Sequence, residues 1–307
     1  MFVYLQQRLA LALPVVFGVS VVVFAIVHLL PGDPVLVMLS GANATPEQVA
    51  ELRAQLRFED PLAVQYARFL RRALVGDLGR SIYSKRPVAE EIADQLPSTL
   101  ELAAAAIAIA VAVGLVLGIL AALRPNSWLD RLSMLVALGG ISMPSFWLGL
   151  LLIFTFSLHL GWFPATGGGD FLHLVLPAVT LGAIASAIIA RLTRSSMLEV
   201  LGQDYVRTAR AKGLAGWSVV LRHALKNALI PVLTIFGLQF GNLLAGTVIV
   251  ETVFSRPGLG RLIVGGILAK DFPLVQGTVL FVATVYVLIN VVVDVTYAVA
   301  DPRIRLG

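Results

Sequence analysis

The chain contains no cysteine and few charged residues for its 307 positions. Without cysteine there is no disulfide framework and no thiolate metal site. Only 13% of the residues are charged and 58% are hydrophobic, whereas soluble globular domains are roughly 25% charged and 45–50% apolar. A single buried core could not absorb so much apolar surface. The composition therefore indicates an integral membrane protein.

Residue patterns that support catalysis are equally scarce. Histidine occurs four times, at scattered positions, and there is no His-Glu-x-x-His zinc motif. The glycine run 167–169 is not followed by a lysine, and no Gly-x-x-x-x-Gly-Lys loop occurs elsewhere. We therefore predict that the chain is not an enzyme, does not hydrolyse ATP itself and holds no metal or cofactor.

Six apolar stretches are long enough to cross a bilayer, which needs about 20 residues per helix. They lie at about 9–30, 99–123, 132–160, 174–192, 229–250 and 274–299. The first has no small-residue cleavage site after its apolar run, which favours a retained helix over a removed signal peptide. The predicted fold class is an all-α membrane protein with six transmembrane helices.

The distribution of lysine and arginine orients these spans. With the N-terminus inside, twelve basic residues fall on the inner side: Arg8, Arg124, Arg131, Arg191, Arg194, Arg207, Arg210, Lys212, Arg222, Lys226, Arg303 and Arg305. The short outer loops then hold only Arg256, Arg261 and Lys270. Because basic residues concentrate in cytoplasmic loops, both termini are predicted to be cytoplasmic. The net charge of +5 is explained by these cytoplasmic basic residues, so no nucleic-acid partner is expected.

The segment 31–97 is predicted to be a long extracytoplasmic loop with short helices. Prolines that follow Thr45 and Asp60 mark two helix starts. Ser98 and Glu101, three residues apart, predict a capping box that opens the second span. The loop is interpreted as an amphipathic cap over the outer face, and direct contact with an external partner is the alternative.

Several polar side chains lie within the apolar spans. Gln239 and Asn242 are on the fifth span, Asn290 is on the sixth, and Ser142 and Ser145 flank a proline on the third. Each one alone favours a hydrogen bond between helices, but together they are the candidate lining of a translocation pathway. Two Gly-x-x-x-Gly pairs, at 114/118 and 237/241, permit close packing of helices.

A basic segment of about 35 residues, at 193–228, separates the fourth and fifth spans. A short helix is predicted from Asp204, as its N-cap, to Lys212, with Gly213 ending it in a left-handed conformation. A second helix is predicted from Trp217 into the membrane. The basic residues that the first helix would present to a cytoplasmic partner are Arg207, Arg210 and Lys212. A solvated, positively charged loop is the alternative.

Eight motifs, in order along the chain, resemble those of one transporter family. They are LPGDP at 30–34, GDLGRS at 76–81, PSTLEL at 97–102, SMPSFW at 142–147, YVRTARAKG at 205–213, RHALKNA at 222–228, ETVFSRPGLG at 251–260 and DPRIR at 301–305. Over essentially the whole chain they are similar to the first permease subunit of the dipeptide, oligopeptide and nickel branch of binding-protein-dependent ABC importers.

The resemblance implies a type I (MetI-like) importer permease in the prokaryotic inner membrane. Its implied parts are an N-terminal helix at 1–30, the extracytoplasmic region 31–97, a five-helix core at 98–300 that contains the coupling loop 193–228, and a cytoplasmic tail at 301–307. The implied partners are a second homologous permease, two ABC ATPase subunits, an extracytoplasmic substrate-binding protein and the lipid bilayer. ATP and Mg would be bound by the ATPase subunits.

The resemblance also implies where an ATPase docks. The coupling-loop residues are Tyr205, Arg207, Thr208, Ala209, Arg210, Lys212 and Gly213. The chain departs from the broad Glu-Ala-Ala pattern of importers, because residues 207–209 read Arg-Thr-Ala, and Leu225-Lys226 stands where Leu-Pro is expected. In the motif after the fifth span, Glu251 and Arg256 are candidate external contacts.

The cargo implied by this branch is a di- or oligopeptide. Nickel or its chelates, glutathione and oligosaccharides are the alternatives, because cargo choice lies mostly in the binding protein. An ATP-independent secondary transporter is a remote alternative, which would predict ionisable residues at mid-span and an internal repeat. An intramembrane enzyme would need a catalytic pair at one depth, and none is evident.

Overall fold

The computed structural model describes residues 2–29, 46–47 and 60–300, and within them the chain is helical apart from turns and one isolated bridge between Arg80 and Pro87. The helices are α1 (Phe2–Leu29), α2 (Leu62–Leu74), α3 (Val88–Leu123), α4 (Trp128–Ser142), α5 (Ser145–Leu152), α6 (Phe171–Leu201), α7 (Asp204–Ala211), α8 (Leu225–Val253), α9 (Leu259–Ala269) and α10 (Phe272–Ala300). The π-helical segment Ile153–His159 continues α5. A short helix of three residues, Gly216–Ser218, leads into the π-helical segment Val219–Ala224, which precedes α8. The predicted tail 301–307, the LPGDP motif and the helix start at Thr45 lie outside the described residues.

The prediction of an all-α membrane protein is confirmed. Four helices in the described part of the chain are long and apolar enough to cross a membrane: Gln6–Ile26, Val88–Leu123, Phe171–Leu201 and Phe272–Val293. They coincide with the first, second, fourth and sixth predicted spans. The fifth predicted span coincides with α8, which has 29 residues. The count of six spans and the cytoplasmic termini stay predictions.

The third predicted span, 132–160, is not one continuous helix. It consists of α4 and of α5 with its π-helical continuation, and the two parts are bent by 108°. Pro144 has no N–H to donate, and its ring drives Met143 out of the helical region, to a ψ of 128°. A hydropathy average does not register this break, because apolar residues flank it on both sides.

The second span begins eleven residues earlier than predicted, at Val88. The predicted capping box is therefore wrong, because Ser98 and Glu101 both lie inside α3. The Ser98 hydroxyl instead donates to the carbonyl oxygen of Pro257 at 2.7 Å. Two glutamates occupy the first turn of α3, where the helix dipole favours carboxylates.

The larger of two compact units is built on residues 99–256. Its core is formed by buried side chains of α3, α6 and α8, among them Leu102, Leu181, Ile189, Val250 and Phe254. α3 and α6 touch so closely that a Cβ atom added at Gly118 would lie 2.6 Å from the carbonyl oxygen of Ala190. The close packing predicted for the 114/118 glycine pair is confirmed, and it occurs within this chain.

The smaller unit contains the described residues between 6 and 98, together with residues 257–288. Its core joins α3, α9 and α10 through Val88, Ile92, Leu259 and Leu274. The Asp271 carboxylate caps α10 through the Leu274 N–H, and it also accepts the Ser81 hydroxyl at 2.5 Å and the Ile82 N–H at 3.0 Å. The helix start predicted after Asp60 is confirmed by α2, whereas α9 was not predicted.

Candidate functional site

α7 begins at Asp204, which was predicted to be its N-cap. The N-cap position belongs instead to Gln203, whose backbone is extended, and Asp204 lies in the first helical turn. Its carboxylate is 3.6 Å from the Arg207 guanidinium, and its carbonyl oxygen accepts the Thr208 hydroxyl at 2.9 Å. A carboxylate in the first turn complements the positive end of the helix dipole. The helix that begins here has only eight residues.

The two faces of α7 differ sharply in exposure. Val206 is fully buried and Ala209 is 7% exposed, whereas Arg207 and Arg210 are exposed. Lys212, directly after the helix, is also exposed. The helix is thus attached to the protein by a narrow apolar face and directs its cations away from it.

α7 ends in a Schellman motif. Gly213 has a φ of +78°, its N–H donates to the carbonyl oxygen of Arg210, and the Leu214 N–H donates to that of Ala209. This pattern satisfies the last carbonyl groups of a helix and needs a left-handed residue, which is most often glycine. The left-handed helix end predicted at Gly213 is confirmed.

The buried face of α7 rests on both neighbouring helices. It packs against Val200 and Leu201 at the end of α6, and against Val219 in the π-helical segment that precedes α8. The Asn227 side-chain amide, on α8, donates to the Tyr205 hydroxyl at 2.8 Å. α7 therefore bridges the end of α6 and the start of α8. Sequence spacing alone did not reveal the role of Asn227, which lies 22 residues after its partner.

The candidate pathway residues occupy four different helices. Ser142 is exposed at the end of α4, and Ser145 is half-buried at the start of α5, on the other side of the bend. Gln239 on α8 and Asn290 on α10 are half-buried. The side chain of Asn242 lies outside the described residues. The assignment of these residues to a pathway stays a prediction.

Glu251 and Arg256, the candidate external contacts, are both buried, with 0% and 2% exposure. Glu251 accepts the Thr99 hydroxyl at 2.7 Å, and Arg256 donates from Nη2 to the Glu101 carboxylate at 2.5 Å. The expectation of an external contact is corrected for this conformation, because neither side chain reaches the surface. A charged residue inside an apolar span needs a partner of opposite charge. Glu101 was therefore the feature of the sequence that could have predicted its ion pair with Arg256.

Two family models together match nearly the whole chain. The model described as binding-protein-dependent transport system inner membrane component matches residues 114–306, and the model of the N-terminal region of such membrane components matches residues 1–103. The chain belongs to this family of inner-membrane permeases. As the membrane component of an ABC importer, this permease leaves ATP hydrolysis to separate ATPase subunits.

Named relatives of the permease match it over nearly their full length. It is 48% identical over 302 residues to the glutathione transport system permease protein GsiC of Escherichia coli O6:H1, with 98% of each chain covered. The proteins of that name from Escherichia coli K12 and Salmonella paratyphi A are 47% and 48% identical, with the same coverage.

Solved structures show the fold of the permease. It matches the MetNI methionine ABC transporter in an inward-facing conformation with a TM-score of 0.59 and 19% identity, covering 69% of this chain and 96% of that one. It matches an amino acid ABC transporter crystallised with histidines at a TM-score of 0.52 and 17% identity, covering 70% and 94%. The predicted MetI-like, type I importer architecture is confirmed.

Proposed function

We propose that this permease forms half of the translocation pathway of an ATP-driven importer of glutathione. The observation that supports glutathione as the cargo is the sequence identity of 47–48%, over 98% of the chain, with permeases named for glutathione transport. Glutathione is a tripeptide, so it lies within the peptide class implied by the sequence motifs. Other di- and oligopeptides, nickel chelates and oligosaccharides become outcomes of the cargo test.

The proposed docking site for an ATPase is α7. The support for this role is geometric. The helix presents two exposed cations, a third follows it directly, and two small apolar side chains pack it against the end of α6 and the π-helical segment before α8. Such a helix can move as one piece with whatever binds its exposed face. ATP binding in the partner subunits would displace α7, and the displacement would tilt α6 and α8 between inward-open and outward-open arrangements.

The complete transporter would contain this permease, a second homologous permease, two ATPase subunits and an external binding protein that delivers the cargo. ATP and Mg would be bound by the ATPase subunits. The orientation needed for this assembly places α7 and both termini in the cytoplasm, which agrees with the excess of basic residues in the same loops.

The docking proposal is tested by co-purification of the tagged permease from its own membranes. The triple variant Arg207→Glu, Arg210→Glu and Lys212→Glu should lose the ATPase subunits and keep the second permease. The matched control is Arg71→Glu, Lys85→Glu and Lys270→Glu, which reverses three cations of the smaller unit that are also exposed. Retention of the ATPases by the α7 variant, or equal loss in the control, would contradict docking on α7.

The cargo proposal is tested by uptake into proteoliposomes that contain the whole transporter with its binding protein. We expect ATP-dependent accumulation of labelled glutathione at least tenfold faster than that of a labelled dipeptide or of a nickel chelate. Faster uptake of another cargo would replace glutathione while leaving the importer assignment intact. Uptake of any cargo without ATP would favour the secondary transporter.

A further inference from the structure

A bidentate ion pair joins α4 to α6. The Arg194 guanidinium donates from Nε to one oxygen of the Asp130 carboxylate at 2.5 Å and from Nη2 to the other at 2.8 Å. The second oxygen also accepts the N–H of Asn126 at 2.9 Å. Asp130 is only 3% exposed. The carboxylate is thus enclosed by protein and carries three hydrogen bonds.

The geometry of this pair fixes two helices in one register. A fork of two parallel hydrogen bonds constrains both distance and direction, whereas a lysine in place of Arg194 would supply only a point charge. The pair is costly to separate from the side of Arg194, because removal of that half-buried guanidinium leaves the buried Asp130 carboxylate without a compensating charge. Movement of α6 at this point should therefore carry the start of α4 with it.

Arg194 lies on the part of α6 that supports α7. Three residues further along, Met197 is fully buried in a cluster with Ala224 and Ala228, next to the start of α8. Val200 and Leu201 then underlie α7. At 1.5 Å per residue, about 9 Å of continuous helix separates Arg194 from Val200. The residues that support α7 and the residue that pairs with Asp130 therefore belong to one continuous helix, α6.

α4 leads from the ion pair to the bend in the third span. Asp130 lies in its first turn, and its last residue, Ser142, lies beside the break at Pro144. The 15 residues of α4 span roughly 22 Å. A shift at the Asp130 end therefore reaches the two serines that flank the bend, which are candidate pathway residues.

We infer that Asp130 and Arg194 are positioning residues for transport: the pair transmits movement of α7, through the end of α6, to α4 and to the bend at Pro144. This inference rests on the proposed docking of an ATPase on α7. The pair acts through the helices that it joins, and it binds neither cargo nor nucleotide. Its loss should leave the transporter assembled and able to consume ATP, with fewer cargo molecules moved per ATP.

The test is a double-mutant cycle in the complete transporter, reconstituted with its ATPases and binding protein. The variants are Asp130→Asn, Arg194→Gln, the two combined, and the conservative Arg194→Lys. The matched control is Arg86→Gln, which breaks the exposed Arg86–Asp94 pair of 2.8 Å in the smaller unit. The readout is the number of ATP molecules hydrolysed per cargo molecule taken up, measured beside subunit stoichiometry.

Each single variant should raise this ATP-to-cargo ratio about tenfold, and the double variant should raise it no further, because one interaction is lost in all three. Arg194→Lys should show an intermediate ratio, and Arg86→Gln should leave the ratio unchanged. A normal ratio in assembled Asp130→Asn would overturn the inference. If Asp130→Asn does not assemble, Arg194→Lys decides, and a normal ratio there overturns the inference equally.

Failure of the docking proposal is distinguishable from failure of this inference. If the α7 triple variant keeps its ATPases, docking on α7 is wrong whatever the ion-pair variants do. If that variant loses its ATPases while the ion-pair variants keep a normal ATP-to-cargo ratio, only the transmission through Asp130 and Arg194 is wrong.

Discussion

Glycine is required in two regions of the larger unit for opposite reasons. At the contact of α3 and α6, Gly118 has an ordinary helical backbone but no room, because an added Cβ atom would lie 2.6 Å from both Ala190 and Thr193. At the end of α7, Gly213 has no other atom within 4 Å of such a Cβ, but its φ is +78°. The first glycine is needed for packing and the second for backbone conformation. Variants at the two positions should therefore fail in different ways.

The largest effect is expected for Gly118→Val, because the atoms in its way include backbone, which cannot move aside cheaply. Overpacking of a core costs about 1–3 kcal/mol, and the cost is higher where the clash is with backbone atoms. We therefore expect that most of the folded protein is lost. Thermal unfolding followed by size-exclusion chromatography in detergent measures it. Gly139→Ala is the control, because nothing lies within 4 Å of an added Cβ there. Similar melting temperatures for both variants would refute the packing argument.

Gly213→Val should fold and insert, and should lose transport by at least tenfold. A β-branched residue at this φ costs about 1–3 kcal/mol, and the Schellman motif would open before the long helices do. Uptake and ATPase stimulation are measured together. Gly216→Ala, three residues on and also in open space, should behave as the unmodified protein, and Gly213→Asn should retain more transport than Gly213→Val. Normal coupling in Gly213→Val would remove α7 from the mechanism.

A smaller effect is expected for Tyr205→Phe. The change removes the 2.8 Å hydrogen bond from Asn227 and keeps the ring, and a single such bond contributes about 0.5–1.5 kcal/mol. Transport should fall about twofold with unchanged assembly. Asn227→Ala should reproduce the loss, and in combination the two changes should not add. Additive losses would mean that the two side chains act separately.

The smallest effect is expected at a third glycine, Gly79, which lies in a turn and has a φ of +87°. The Asp77 carboxylate accepts hydrogen bonds from Arg72 and from the Gly79 N–H, and these lower the pKa of Asp77, the Arg72 bond most. Because the folded-state pKa is lowered, the stabilisation is present above the ordinary pKa of about 4 and is lost as the pH falls through the folded value. The difference in melting temperature between the unmodified protein and Asp77→Asn should be present at pH 7 and vanish in acid. A difference in melting temperature that does not depend on pH would show that the Asp77 charge is not the source of the stabilisation.

The sequence was most informative where structure is local. Hydropathy located the long helices, and Gly213 was recognised as a helix end because it follows a short amphipathic segment. The break at Pro144 was missed, because a window of apolar residues hides one proline. The burial of Arg256 was missed as well, because its partner Glu101 is 155 residues away in the chain. The bond from Asn227 to Tyr205 was beyond prediction for the same reason: side-chain pairing between helices depends on packing that no local pattern encodes.

Arg256 also bears on the energy of the conformation described. Its Nε–H is buried and finds no acceptor among residues 2–29, 46–47 and 60–300, and an unsatisfied buried donor costs about 1–3 kcal/mol. Any rearrangement that brings water or a carbonyl oxygen to this N–H recovers that free energy. The present conformation is thus less stable than the ion pair between Arg256 and Glu101 alone would suggest. In the proposed alternation between inward-open and outward-open arrangements, a donor left unsatisfied in one arrangement raises the free energy of that arrangement relative to one in which the donor is paired.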